Sequence, residues 1–245
     1  MDAEFVVLLL IGAAAGGFIN GLAGFGTALF ALGWWLQIMP PVQAVALVLA
    51  LSVASGLQGA FVVRHAVQPA RLLRFLLPGC LGIPIGLQLL DVVDAEALKL
   101  IIASFLLAYG AFFLFRRDLP NLKSPTRVLD ATIGFLGGIL GAIAGLSGPL
   151  PTTWLAMRDW PRHETRAVLQ PYNISILGIS AILLAIAGAY TRDVLIAILI
   201  ALPATMLAAQ IGLWVFGKLE DSQFRRLLIG LMTVSGVILL ARTMF

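Results

Sequence analysis

Residues 16–35 read Gly16-Gly17-Phe18-Ile19-Asn20-Gly21-Leu22-Ala23-Gly24-Phe25-Gly26-Thr27-Ala28-Leu29-Phe30-Ala31-Leu32-Gly33-Trp34-Trp35. The stretch holds no charge, yet Gly24 and Gly26 allow backbone angles that end a helix. Inside a bilayer every backbone polar group must find an internal partner, so a break at that depth has to be lined by polar groups. The apolar segment after the break, residues 27–39, would rise only about 20 Å as a helix. A full crossing needs ~30 Å. The segment therefore reads as a half-helix or as the return arm of a re-entrant hairpin.

Outward from this stretch the chain stays apolar. Residues 42–63, 194–217 and 227–240 contain no Asp, Glu, Lys or Arg. The whole chain of 245 residues is 60% hydrophobic and 11% charged, with a mean hydropathy of +1.02. A soluble domain has roughly 25% charged residues, so this chain has too few charges to cover a core with a water-facing surface. Uncharged runs near 20 residues are membrane-crossing helices, and the alternating ten-residue strands of a barrel are absent. Residues 1–22 carry only Asp2 and Glu4 and no basic start, so they read as a retained first helix rather than a signal peptide. Cys80, the single cysteine, offers neither an internal disulfide nor a metal pattern.

A second stretch, Ala144-Gly145-Leu146-Ser147-Gly148-Pro149-Leu150, lies 121 positions beyond Ala23-Gly24-Phe25-Gly26-Thr27-Ala28-Leu29. The same offset carries Gly16-Gly17 onto Gly137-Gly138, Pro40 onto Pro161 and Arg71 onto Arg192. Beyond Arg71 about five extra residues bring Pro78 onto Pro203 and Gly86 near Gly212. The chain is read as a duplication: repeat 1 at about 5–115, a breaker-rich linker at 116–130, and repeat 2 at about 131–245, forming one transmembrane domain over 1–245. Helices are expected at 5–22, 27–39, 42–63, 72–90, 97–115, 128–144, 150–157, 165–190, 194–217 and 224–241.

Charge orients these halves. With the N-terminus outside and five passages per half, every basic residue except Lys99, Arg192 and Arg242 falls in a cytoplasmic loop, as the positive-inside rule requires. Arg166 is counted among those loop residues. The basic pI of 9.7 thus has a topological cause rather than a nucleic-acid one. An odd number of passages makes the repeats inverted, a common plan for secondary transporters. The expected fold is an all-α membrane protein of two inverted repeats, each a re-entrant or broken helical hairpin followed by long transmembrane helices.

Candidate binding residues follow from the breaks. Gly24, Phe25 and Gly26 form the first, and Gly145, Ser147 and Gly148 the second. Helix N-termini after them offer free N–H groups to an anion, and Thr27 and Ser147 add hydroxyls. Asn20 sits one turn before the first break. Ser52 and Asn173 share the 121 offset near the middle of long helices, with Gln58, Thr152 and Gln170 as further polar residues at membrane depth. Gly12, Gly16, Gly17 and Gly21 read instead as close helix packing. Gly145-Leu146-Ser147-Gly148 resembles the serine motif of rhomboid proteases, but a serine nucleophile needs a base and no histidine follows His163. No catalytic residue, metal site or cofactor is expected.

On these residues the chain resembles the sulfite exporter TauE/SafE family, also known as 4-toluene sulfonate uptake permeases. The carriers are the glycine-rich runs at 17–26 and 134–148, the helix at 46–63, the basic loop at 64–74 and the Gly-rich helix at 78–90. Gly24-Phe25-Gly26-Thr27 has fewer glycines than many members show there, which bears on substrate size rather than on fold. The resemblance implies secondary transport or facilitation of a small sulfur-containing oxyanion, such as sulfite or a sulfonate, across the cell inner membrane. The expected partners are that anionic substrate and the lipid bilayer, with no nucleic acid and a homodimer left open. A membrane scaffold or enzyme subunit without transport is the competing reading. The topology predicts that single cysteines replacing Arg64, Lys123 or Arg225 in a Cys80→Ser background escape an impermeant thiol reagent in intact cells. Cysteines replacing Asp94 or Arg192 should be labelled, and labelling at position 123 would contradict the inverted arrangement.

Overall fold

Gly24 and Gly26 carry positive φ angles of 81° and 105°, a conformation in which a side chain would strain the backbone. They end helix α1 (Ala3–Ala23) and turn the chain into a short helix, α2 (Thr27–Trp35). The computed structural model describes residues 2–115, 126–158, 160, 162–220 and 223. Within it α2 runs back along α1: Thr27 and Ala31 pack on Gly16 and Trp35 on Gly12, while the Trp35 indole donates to the Leu9 carbonyl at 3.2 Å.

The second break repeats this. Helix α6 (Arg127–Ala144) ends at Gly145, φ 68°, and α7 (Pro149–Leu155) returns along it, with Ser147 beside Gly141 and Pro151 beside Gly137. Longer helices follow each hairpin. After the first come α3 (Pro41–Val63), a 3-10 turn at Arg64–Ala66, α4 (Pro69–Val92) and α5 (Ala95–Phe115). After the second come α8 (Arg162–Ile186) and α9 (Arg192–Lys218). Six of the described helices are long and apolar enough to cross a membrane, and no strand occurs among the described residues. Pro78, Pro84, Pro171 and Pro203 lie inside helices. Neighbouring helices at membrane depth can absorb the freed carbonyls that such prolines leave.

Small residues set the packing. Gly17 and Gly21 of α1 touch the backbone of Thr205 and Ala209, and Gly212 touches Phe18 and Leu22, so α1 and α9 run parallel in close contact. Gly134 and Gly138 of α6 meet Phe75 and Gly79 of α4 in the same way. The packing role expected of Gly12, Gly16, Gly17 and Gly21 is what these contacts provide. Between the two pairs, α3 and α8 cross the centre antiparallel, with Gly59 beside Arg166 and Val53 beside Gly178. Leu57, Phe61, Leu81, Ile186, Leu199 and Leu207 face outward, more than half exposed. Such an apolar surface is what lipid accepts in place of a charged rim.

The expected boundaries shift in places. The short helices are shorter still, and α8 starts at Arg162 and ends at Ile186, so Tyr190 sits in a turn, where its hydroxyl donates to the Ala46 carbonyl at 3.0 Å. Burial pushes its pKa up to about 12, which keeps it a neutral donor. Asp130, expected at the end of the linker, lies buried in the first turn of α6. Linker residues 116–125 and the helix expected at 224–241 lie outside the described residues.

Gly138→Ala places a methyl group about 2.0 Å from the Gly79 carbonyl oxygen, so α4 and α6 must separate. We expect it to cost about 1–3 kcal/mol, read as a lower melting temperature in detergent. Gly217→Ala, with nothing within 4 Å of the new atom, should be neutral or slightly stabilising.

Candidate functional site

Both breaks end at the same place. Phe25 packs on Gly148, where an added Cβ would lie 2.4 Å from the Phe25 Cβ, and Gly145 lies against Ala28 and Val48. Between them is a small buried cavity of about 10 Å³, the room of roughly one water molecule. Nine of the expected residues line it: Asn20, Gly24, Phe25, Gly26, Ser52, Gly145, Ser147, Gln170 and Asn173.

Asn173 ties the breaks together. Its Nδ2 donates to the Gly24 carbonyl at 3.1 Å, and its Oδ1 accepts from the Ser147 hydroxyl at 2.9 Å. One side chain from α8 thus serves the backbone of the first break and the hydroxyl of the second. Asn20 makes a similar brace to α3, donating to the Ser52 carbonyl at 3.1 Å and to the Ser55 hydroxyl at 2.6 Å. Gln170 donates to the Gly56 carbonyl at 2.9 Å, while its Oε1 and the Ser52 hydroxyl are buried without a hydrogen-bond partner. An unsatisfied buried polar group costs about 1–3 kcal/mol, so these two atoms are the cavity's open positions. No carboxylate or histidine is among the lining residues.

Four expected residues stand elsewhere. Thr27 turns its methyl toward Gly16 and its buried hydroxyl has no partner. Gln58 reaches across to α9, donating to the Met206 carbonyl at 3.5 Å. Thr152 bonds back within its own helix, to the Gly148 carbonyl at 2.8 Å, and Gly148 itself is covered by Phe25. Ser147 is bonded to an amide oxygen rather than to a base, which is not the arrangement of a nucleophile.

Gly56, Ile174 and Leu177 also line the cavity, and Arg166 stands beside it. Arg166, expected in a cytoplasmic loop, is 5% exposed and lies one turn into α8. The helical spacing carried the signal: Arg166, Gln170, Asn173 and Leu177 fall at i, i+4, i+7 and i+11, one face of one helix. The helix expected at 165–190 already includes Arg166, and its face is covered because α3 packs on it, with Gly56 beside Gln170 and Gly59 beside Arg166. Arg158, the basic residue nearest the second break along the sequence, pairs with Asp130 at 2.8 Å, where Trp154 also donates to Asp130 at 2.7 Å. That cluster lies at the far end of α6, fifteen residues or about 22 Å from Gly145.

Apolar crossing helices and two interrupted hairpins meeting at a buried polar cavity are the architecture of a multi-pass membrane transporter. The chain belongs to the sulfite exporter TauE/SafE family, whose family model matches residues 8–239 of the 245. No curated protein and no solved structure matches it.

Asn173→Ala removes both bonds between the breaks and leaves the Gly24 carbonyl and the Ser147 hydroxyl unpaired. The expected loss of stability is about 1–3 kcal/mol, measured by thermal unfolding in detergent. An unchanged melting temperature would show that the breaks hold together without Asn173.

Proposed function

We propose that this protein is a secondary transporter or facilitator for a small sulfur-containing oxyanion, bound between the two glycine breaks. The observation that carries the reading is that both breaks, 121 positions apart in sequence, converge on one polar cavity at the centre of the helix bundle. Family membership supports the sulfur oxyanion as substrate class. The cavity is smaller than any oxyanion, so the breaks have to part for substrate to enter. The N-terminal end of α2, the Ser52 hydroxyl and the Ser147 hydroxyl supply donors once they do.

The two halves are proposed to be inverted repeats that rock about this cavity. The parallel pairs α1 with α9 and α4 with α6, and the antiparallel central pair α3 with α8, are the pattern such a pseudo-two-fold produces. The ends of α3 and α8 that carry Arg64 and Arg162 lie on one side, which fits a cytoplasmic basic face, an external N-terminus and residence in the cytoplasmic membrane. An inside-negative potential drives a monoanion outward by about 2.3 kcal/mol per 100 mV, so export needs no carboxylate relay. A cavity lined without titratable groups suits that mode.

Protein reconstituted into liposomes should move sulfite or methanesulfonate, and Gly24→Leu and Gly148→Leu should abolish the flux while the protein still inserts. The first adds a side chain at a positive φ beside Gln170, and the second drives one into Phe25. Wild-type flux in both variants would remove the breaks from the pathway. No flux of any sulfur oxyanion in the wild type would favour the scaffold reading.

A further inference from the structure

Arg166 is a buried cation that makes no ion pair with any described residue. Its Nη2 donates to the Gly21 carbonyl at 2.8 Å and its Nη1 reaches the Leu22 carbonyl at 3.5 Å, both at the C-terminal end of α1. The ring of Phe216 covers the guanidinium at 4.3 Å. Its Nε is buried with no partner. That Nε lies 3.6 Å from the point where a Gly24 side chain would begin, and the unpartnered Gln170 Oε1 lies 2.6 Å from the same point.

A purely architectural role accounts for part of this. The last carbonyls of a helix need donors, and a helix C-terminus carries about half a negative charge. The second break, however, is built without a cation. There the Gly145 N–H donates to Gly141 at 2.8 Å, as Gly24 does to Asn20 at 2.7 Å in the first break, and the Leu146 N–H adds a bond to Leu140 at 3.0 Å. At the 121 offset the counterparts of Arg166 and Gln170 are Val45 and Leu49, both fully buried. The fold thus closes one break with apolar side chains and the other with an arginine whose charge is only partly balanced. Ionisable residues at membrane depth are costly and mark substrate paths.

We infer that Arg166 is the charge-bearing ligand of the transported anion, its Nε donating to an oxyanion oxygen seated against Gly24, and that the site is cationic on this face only. This rests on the proposed anion transport and specifies which side chain neutralises the substrate. The guanidinium stays tethered to α1 through Gly21 while Nε takes the ligand, so anion binding and the position of the first break are mechanically linked.

The test is sulfite binding to purified protein by calorimetry, together with thermal unfolding. Arg166→Gln keeps donors for the Gly21 carbonyl but removes the charge, and should weaken sulfite binding about 10- to 100-fold. Gln170→Glu supplies an internal carboxylate beside Arg166. It should abolish sulfite binding, and it decides the matter if Arg166→Gln does not fold. If the wild type binds sulfite and either Arg166→Gln or Gln170→Glu binds it equally well, Arg166 is a helix cap and the inference fails alone. If the wild type binds no sulfur oxyanion, the proposed function fails with it.

Discussion

A chain broken inside an apolar slab must bring its own hydrogen-bond partners to the break, and Asn173 does this for both breaks together. Its amide accepts from Ser147 of its own half and donates to the Gly24 carbonyl of the other, so the first hairpin tip depends on a side chain from the second half. That dependence holds α8 at the centre of the molecule. It also leaves the cavity too small for an oxyanion while both bonds are made. On the proposed function, binding and closure are set by the same few polar atoms.

The surrounding helices can come that close because their contact faces lack side chains. Gly17, Gly21 and Gly212 bring α1 against α9, and Gly79, Gly134 and Gly138 bring α4 against α6. Each pair is backbone against backbone, with little room to slide. Relative motion is easier at α3 and α8, where Gly56 and Gly59 meet the long side chains of Gln170 and Arg166. The central crossing is thus the softer interface and the two outer pairs the stiffer bodies.

Much of this was legible in the sequence, because composition and glycine spacing act locally. The broken helices at Gly24 and Gly145, the shortness of α2, the packing glycines and nine cavity residues follow from where glycine and polar residues interrupt apolar runs. What was not legible depends on helix phase and on partners distant in sequence. Arg166 lies in a basic cluster that reads as a cytoplasmic loop, and its burial depends on Gly59 of α3 and the Gly21 carbonyl of α1, both distant in sequence. Asp130 reads as the end of the linker for a similar reason, since its partners Arg158 and Trp154 arrive from beyond the second break. Thr152 and Gln58 read as polar residues at depth, but their geometry spends them on their own helix and on α9.

The proposed anion site is shared by two breaks and charged on one face. Crystals grown in selenite, whose selenium scatters anomalously, would locate the oxyanion directly. The account predicts one anomalous peak between Gly24 and Ser147, within hydrogen-bond reach of Arg166 Nε and the Ser52 hydroxyl, with the Asn173 bridge opened. A peak confined to the basic ends of α4 and α8, or no central peak at saturating selenite, would contradict it.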